Sequence, residues 1–180
     1  MVEDTAQAEL PASELGPILL DWARRFFAEE LGLDIEASES SETNPSQLVL
    51  RDITAIVGLG GQANTCIAFS LDESLVVHVG DAMTAGIDVS DLDAESLFQD
   101  AVGELVNTIV GNSTADLEQS GRRISLTPPL VIFGQQRVSR SRDAFLYRII
   151  CQTSTGSMDI DLVGPRPLFD DQLNYVGGAR

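Results

Sequence analysis

A chain of 180 residues with 43% apolar content is long enough to bury one sizeable core and suits a single domain. Eleven basic residues stand against 28 acidic ones, for a net charge of −17, and every basic residue is Arg. So acidic a surface argues against nucleic acid and anionic membrane as partners, because both are bound by neutralising phosphate with Lys or Arg.

No apolar run approaches the roughly 20 residues that span a bilayer. Met1-Val2-Glu3-Asp4 lacks the basic and apolar regions of a signal peptide, so a cytoplasmic location is expected. Cys66 and Cys151 each lie in an apolar segment and are expected to be buried free thiols. Neither cysteine has the spacing of a metal site, and His78 as the single histidine argues further against a Cys/His zinc site. His78 itself, set among Val76, Val77 and Val79, reads as a packed or half-exposed helix residue.

In chain order, residues 1–13 are polar and small and read as a flexible N-terminus, followed by one domain over 14–164 and a tail over 165–180. A helix is expected over 14–31, with Pro17 in its first turn, an apolar stripe of Ile18, Leu19, Trp22, Ala23 and Phe26, and Gly32 at its end. A short strand over 33–37 and an acidic, mobile loop over 38–46 should follow. Strands are predicted over 48–59 and 65–71, joined through Gly58-Leu59-Gly60-Gly61-Gln62. That glycine patch lacks G-x-G-x-x-G spacing and a Walker Lys, and is followed by a strand, so it reads as a hairpin turn rather than a phosphate loop. A helix over 72–85 should be capped by Asp72 and closed by Gly86, with Ser74, Val77 and Gly80 as a loose face. The acidic connector over 88–93 lacks the Gly and Glu that a calcium loop requires. Asp93 caps a long helix over 94–120. Strands are expected at 123–126, 130–134, 144–153 and 157–163, with Thr155-Gly156 turning between the last two; Pro128-Pro129 forbids helix and is expected to leave strand pairing on only one side of the turn that it makes. Helix, strands and helix, then helix and strands, form a crude echo: two related halves sharing one antiparallel sheet.

Within the long helix, Asp100, Glu104, Asn107 and Gly111 are spaced i, i+4, i+7 and i+11, so they point almost the same way. Phe98, Val102, Leu105, Val106 and Ile109 occupy the opposite face. Asn is a poor mid-helix residue, and Gly103 and Gly111 each cost about 1 kcal/mol relative to Ala. What glycine offers in exchange is close approach of another surface. On residues alone the stripe is either a solvated face or a docking face.

Asp100-x-x-x-Glu104-x-x-Asn107, then Gly111-Asn112, then Pro129-x-Val131-Ile132-x-Gly134, resembles the CheC/CheX/FliY chemotaxis phosphatases, in particular CheX-like members. The resemblance covers residues 15–163. It implies an α+β fold of the CheC/CheX type, with long helices packed on an antiparallel β-sheet built from two pseudo-symmetric halves. It implies a phosphatase that docks on a phosphorylated CheY-like response-regulator receiver and hydrolyses its aspartyl phosphate. By matching positions, Asn107 would orient the attacking water and Glu104 would pair with the receiver's active-site Lys. Asp100 would support docking beside Gly103 and Gly111. The chain would need no metal or cofactor of its own, since the receiver brings Mg2+. One site per chain is implied, because Glu73 in the earlier helix has no Asn at the matching position. A homodimer paired through sheet edges near the C-terminal strands is also implied. The alternative is a CheX-like adaptor that binds a receiver or a chemosensory or flagellar complex without catalysis.

Overall fold

The computed structural model describes residues 10–43, 47–85, 93–139 and 144–165. Helix α1 (Ala12–Glu30) buries Leu15, Leu19, Ala23, Phe26 and Phe27 at helical spacing. It starts two residues earlier than expected, with Pro11 at the N-cap, so Pro17 falls inside the helix and not in its first turn. Pro17 has no N–H to return to the Ser13 carbonyl, a loss tolerated on this exposed side. Gly32 ends the helix at φ +63°, and the Leu33 N–H reaches back to the Phe27 carbonyl at 2.9 Å.

The strand expected at 33–37 lies later, as β1 (Ala37–Thr43), and most of the expected mobile loop is this strand. It pairs antiparallel with β8 (Ala144–Gln152), from Ala37 opposite Gln152 to Thr43 opposite Leu146. A Ser/Glu-rich segment reads as loop from composition, but an edge strand needs backbone groups rather than an apolar side-chain pattern. Residues 44–46 of that loop lie outside the described residues.

The single strand expected over 48–59 is divided into β2 (Gln47–Val49) and β3 (Ile53–Gly61). Arg51 occupies the break. Its Nη1 donates to Asp72 Oδ1 at 2.7 Å and its Nη2 to Asp159 Oδ1 at 2.9 Å, binding the start of β3 to two later segments. Strand β3 then forms a hairpin with β4 (Thr65–Leu71), Leu59 facing Thr65. The glycine patch is part of that hairpin as expected, with Gly61 at φ +76° and the turn over 62–64.

Helix α2 (Glu73–Met83) follows directly. Asp72 holds the N-cap position, but its carboxylate does not cap the helix; it accepts from the Ser157 N–H at 2.9 Å and from Arg51. Asp52 Oδ2 instead accepts from the Glu73 N–H at 3.0 Å, so the orphan donor is satisfied from across the fold. Gly80, assigned to a loose face, is buried against the Phe98 ring. Gly86 and most of the acidic connector lie outside the described residues. Helix α3 (Ala94–Gln119) starts at Asp93, which accepts from the Ser96 N–H at 2.9 Å; that bond, with the Ser96 hydroxyl, holds the Asp93 carboxyl below its ordinary value.

The remaining strands are β5 (Ile124–Leu126), β6 (Leu130–Phe133), β7 (Arg137–Ser139) and β9 (Ser157–Pro165); β7 was not expected from sequence. The main sheet runs β1-β8-β9-β4-β3-β5, with β6 on the same edge of β3 as β5. The hairpins β3–β4 and β8–β9 therefore lie side by side in one antiparallel sheet, joined by the β4–β9 pairing. Pairing occurs on both sides of Pro128-Pro129, not on one: β5 joins Leu59–Gly61 and β6 joins Ile53–Ile56. The C-terminal hairpin is interior to the sheet, with the outer edge of β8 covered by β1, so its strands are not the free edge the expected dimer would use.

Helices α1, α2 and α3 contribute to one core against one sheet face, where Val57, Ile67, Phe69, Ile149, Ile160 and Leu162 alternate inward. The opposite face is polar at its centre. Arg148 and Asp161, directly opposite each other on β8 and β9, form a two-point ion pair at 2.6 and 2.9 Å with Asp161 fully buried. Beside them the β2–β7 ribbon lays Leu48 and Leu50 over Leu146 and Val163. Cys151 is buried, and burial pushes its thiol up to about 12. Cys66, also expected to be buried, is exposed; its apolar neighbours Ile67 and Phe69 face the core while it points to the wetter side of β4. His78 is half-buried, its Nε2 at 2.9 Å from the Leu31 carbonyl.

Candidate functional site

The stripe owes its position to the far side of α3. Val102, Leu105, Val106, Ile109 and Val110 are buried, and Phe98 seals against Gly80 of α2. At the other end, Trp22 Nε1 of α1 donates to Asp116 Oδ2 at 2.7 Å. Ser113 and Thr114 turn their hydroxyls onto the helix's own carbonyls, at 2.7 Å to Ile109 and 3.0 Å to Val110, so two buried polar side chains are satisfied without leaving α3. The helix is thus fixed in rotation about its axis, and the polar face is fixed with it.

That face carries Asp100, Glu104 and Asn107 exposed, with Gly103 and Gly111 half-exposed among them. The expected geometry is present for all five residues: three polar side chains rise from one face, and the glycines leave it low. Nothing lies within 4 Å of where a Cβ would stand at Gly103 or Gly111, so no neighbour within the described chain requires either glycine. Thr108 Oγ1 lies 3.4 Å from Glu104 Oε1, too long for a strong bond, and the carboxylate stays available to a better partner.

Sequence reasoning missed what stands opposite. Asp100, Gly103, Glu104 and Asn107 form one side of a shallow, open cleft of about 530 Å³, whose other side is Leu126, Thr127, Pro128, Pro129 and Val131. The second side exists because of the two prolines. Without N–H groups, Pro128 and Pro129 cannot continue a ladder on β3, so the strand breaks into β5 and β6. The break is held down by Thr127, whose N–H donates to the Gly58 carbonyl at 3.0 Å and whose Oγ1 accepts from the Gly58 N–H at 2.8 Å. A Cβ at residue 58 would stand 3.2 Å from Thr127 Cγ2, so Gly58 makes that double contact possible. The proline pair was visible in the sequence, but its placement beside α3 depends on strand register.

A second depression of about 400 Å³ lies on the other flank of Glu104, between α1, α2 and α3, floored by Trp22, Phe26 and Met83 and rimmed by Glu29 and Glu30. Glu104 lines both. Among the described residues no group of three or more His, Cys, Asp or Glu is arranged to hold a metal ion. Among the same residues no helix is long and apolar enough to cross a membrane.

Known proteins share this fold. A curated protein of Thermotoga maritima, the CheY-P phosphatase CheX, is 25% identical over 132 residues, covering 73% of this chain and 83% of that protein. The crystal structure of a chemotaxis protein CheX from Desulfovibrio desulfuricans superposes with a TM-score of 0.72 at 22% identity, covering 83% of this chain and 97% of that one. The chemotaxis protein CheX from Vibrio vulnificus does so with a TM-score of 0.69 at 18% identity, with the same coverage. A CheX–CheY–BeF3–Mg2+ complex from Borrelia burgdorferi gives 0.62 at 17% identity, covering 83% and 97%. The family model of the chemotaxis phosphatase CheX matches residues 53–150, more than half of the chain, and spans the hairpin, the stripe and the proline-led strand. This chain belongs to the CheX family of chemotaxis phosphatases.

Proposed function

We propose that the protein docks the outer face of α3 on a phosphorylated CheY-like receiver and hydrolyses its aspartyl phosphate. The observation that carries the reading is the exposure of Glu104 and Asn107 together, one turn apart, on a rigidly held helix whose glycines leave room for a second surface. The Thermotoga relative bears the name CheY-P phosphatase, and the Borrelia structure is of a CheX with a CheY, BeF3 and Mg2+.

In this reading Asn107 is the positioning group. A carboxamide stays neutral near pH 7, so it does not abstract the proton. Its oxygen accepts from a water and its nitrogen donates to one, which fixes a lone pair toward phosphorus. The water oxygen bonds to phosphorus, the bond from phosphorus to the receiver's aspartyl oxygen breaks, and the aspartate leaves as a carboxylate. The water's proton passes to the phosphate product or to solvent. The Mg2+ belongs to the receiver and supplies electrostatic stabilisation of the phosphoryl oxygens. Glu104 pairs with the receiver's Lys, an interaction that strengthens once the interface excludes water. Asp100 stands at the margin of the contact. A homodimer and a cytoplasmic location belong to the same proposal; with β8 covered, the sheet edge available on that side is β1.

The test is release of phosphate from a cognate phosphorylated receiver, with wild type and Asn107→Ala compared. Wild type should accelerate release, and Asn107→Ala should lose about a hundredfold or more of that acceleration, the scale of a lost positioning group. An Asn107→Ala protein as active as wild type would sink the proposed role. Binding by wild type with no acceleration at all would make the protein an adaptor.

A further inference from the structure

The cleft has two unlike sides, and the phosphatase reading uses only one of them. Its α3 side carries the Asp100 and Glu104 carboxylates and the Asn107 carboxamide; its other side is Leu126, Pro128, Pro129 and Val131, an apolar wall. Leu126 is 42% exposed although it sits opposite fully paired Leu59, whose side chain is in the core. A large aliphatic side chain left open beside a charged helix face, on a chain of net charge −17, is a surface that desolvation would favour.

Three properties narrow what can occupy it. The wall is rigid: two prolines fix φ, and Thr127 is bonded twice to Gly58, so ordering the wall on binding costs little entropy. Pro128 and Pro129 offer no N–H, so a strand added along this edge could pair with β5 or with β6 but not across the centre of the wall. The opposite wall is anionic, so the occupant must present a cation and an apolar group side by side. We propose that the Leu126–Pro129 wall is a second recognition element for the receiver: it takes an apolar side chain standing next to the cation that Glu104 binds. This rests on the docking reading above, and it adds a specificity determinant that acts on binding rather than on the attacking water.

The experiment is a titration of the full chain with a receiver held in its beryllofluoride–Mg2+ form, repeated across salt concentrations. Leu126→Ser should raise Kd about tenfold, the scale of one truncated interface anchor, with the salt dependence unchanged. Leu126→Met should bind within about twofold of wild type, since an apolar residue of similar volume restores the wall. Glu104→Gln should weaken binding and flatten the salt dependence, because it removes a charge pair. A Leu126→Ser protein that binds as tightly as wild type overturns the proposal. So does one that binds more tightly, which would mean that this chain's own segment covers the wall, or one whose self-association changes while receiver binding does not. Phosphate release by Asn107→Ala is read separately, so loss of the catalytic role and loss of the wall give different results.

Discussion

Replacing both glycines of the site, Gly103→Ala with Gly111→Ala, should make the protein more stable and a poorer phosphatase. Both lie inside α3 with negative φ, and a Cβ at either would meet no heavy atom within 4 Å. The substitutions therefore gain helix propensity with no clash. Each is worth about 1 kcal/mol, and the two are about 12 Å apart along the axis, far enough to add, for a total near 2 kcal/mol. For a domain of this size that is a rise in Tm of about 4–8 °C, measurable by circular dichroism. The two methyl groups would stand on the face that meets the receiver, so KM for the phosphorylated receiver should rise. Gly80→Ala is the contrast: its Cβ would meet the Phe98 ring at 3.3 Å, so the variant should gain less stability than either substitution in α3. Two results would refute the reasoning. Unchanged Tm would mean that the glycines are not propensity defects, and a raised Tm with KM unchanged would mean that they are not there to admit a partner.

Two further predictions concern the scaffold. A thiol reagent at neutral pH should label one cysteine in the native protein and two after denaturation, because Cys66 is exposed while burial keeps Cys151 protonated and out of reach; equal labelling of both in the native state would contradict the sheet assignment. Asp161→Ala should destabilise by about 3 kcal/mol, the low end for one half of a buried pair, since Arg148 keeps a wet edge. Adding Arg148→Met should recover much of that loss in a denaturant titration; no recovery would mean that the pair's cost lies elsewhere.

The parts of the site that lie on one helix were legible because helical periodicity is local. Residues 100, 104, 107 and 111 face together for any α-helix over that segment, and the apolar set from 98 to 109 states which side is buried. Residues whose environment is made by distant strands were not legible in the same way. The polar segment at 37–43 reads as loop until the edge of β8 is there to pair with it. Arg51 looks like one residue in a long strand until Asp72 and Asp159 arrive from later segments. Asp72 has the residue type and position of a cap, yet Ser157 and Arg51 claim its carboxylate and Asp52 takes over the cap. Cys66 looks apolar by its neighbours, but the face it occupies is set by strand register.

By itself, then, the sequence determined the family motif, the order of most elements and the polar face of α3, all of which are read along the chain and need no pairing between distant segments. The tertiary structure decided that this face borders a cleft. Leu126, Pro128, Pro129 and Val131 reach α3 only because β5 and β6 pair with opposite ends of β3, some 70 residues earlier in the chain, with Thr127 bonded to Gly58 between them. Long-range strand pairing is set by the competition of all backbone donors and acceptors for partners, and no local pattern records its outcome.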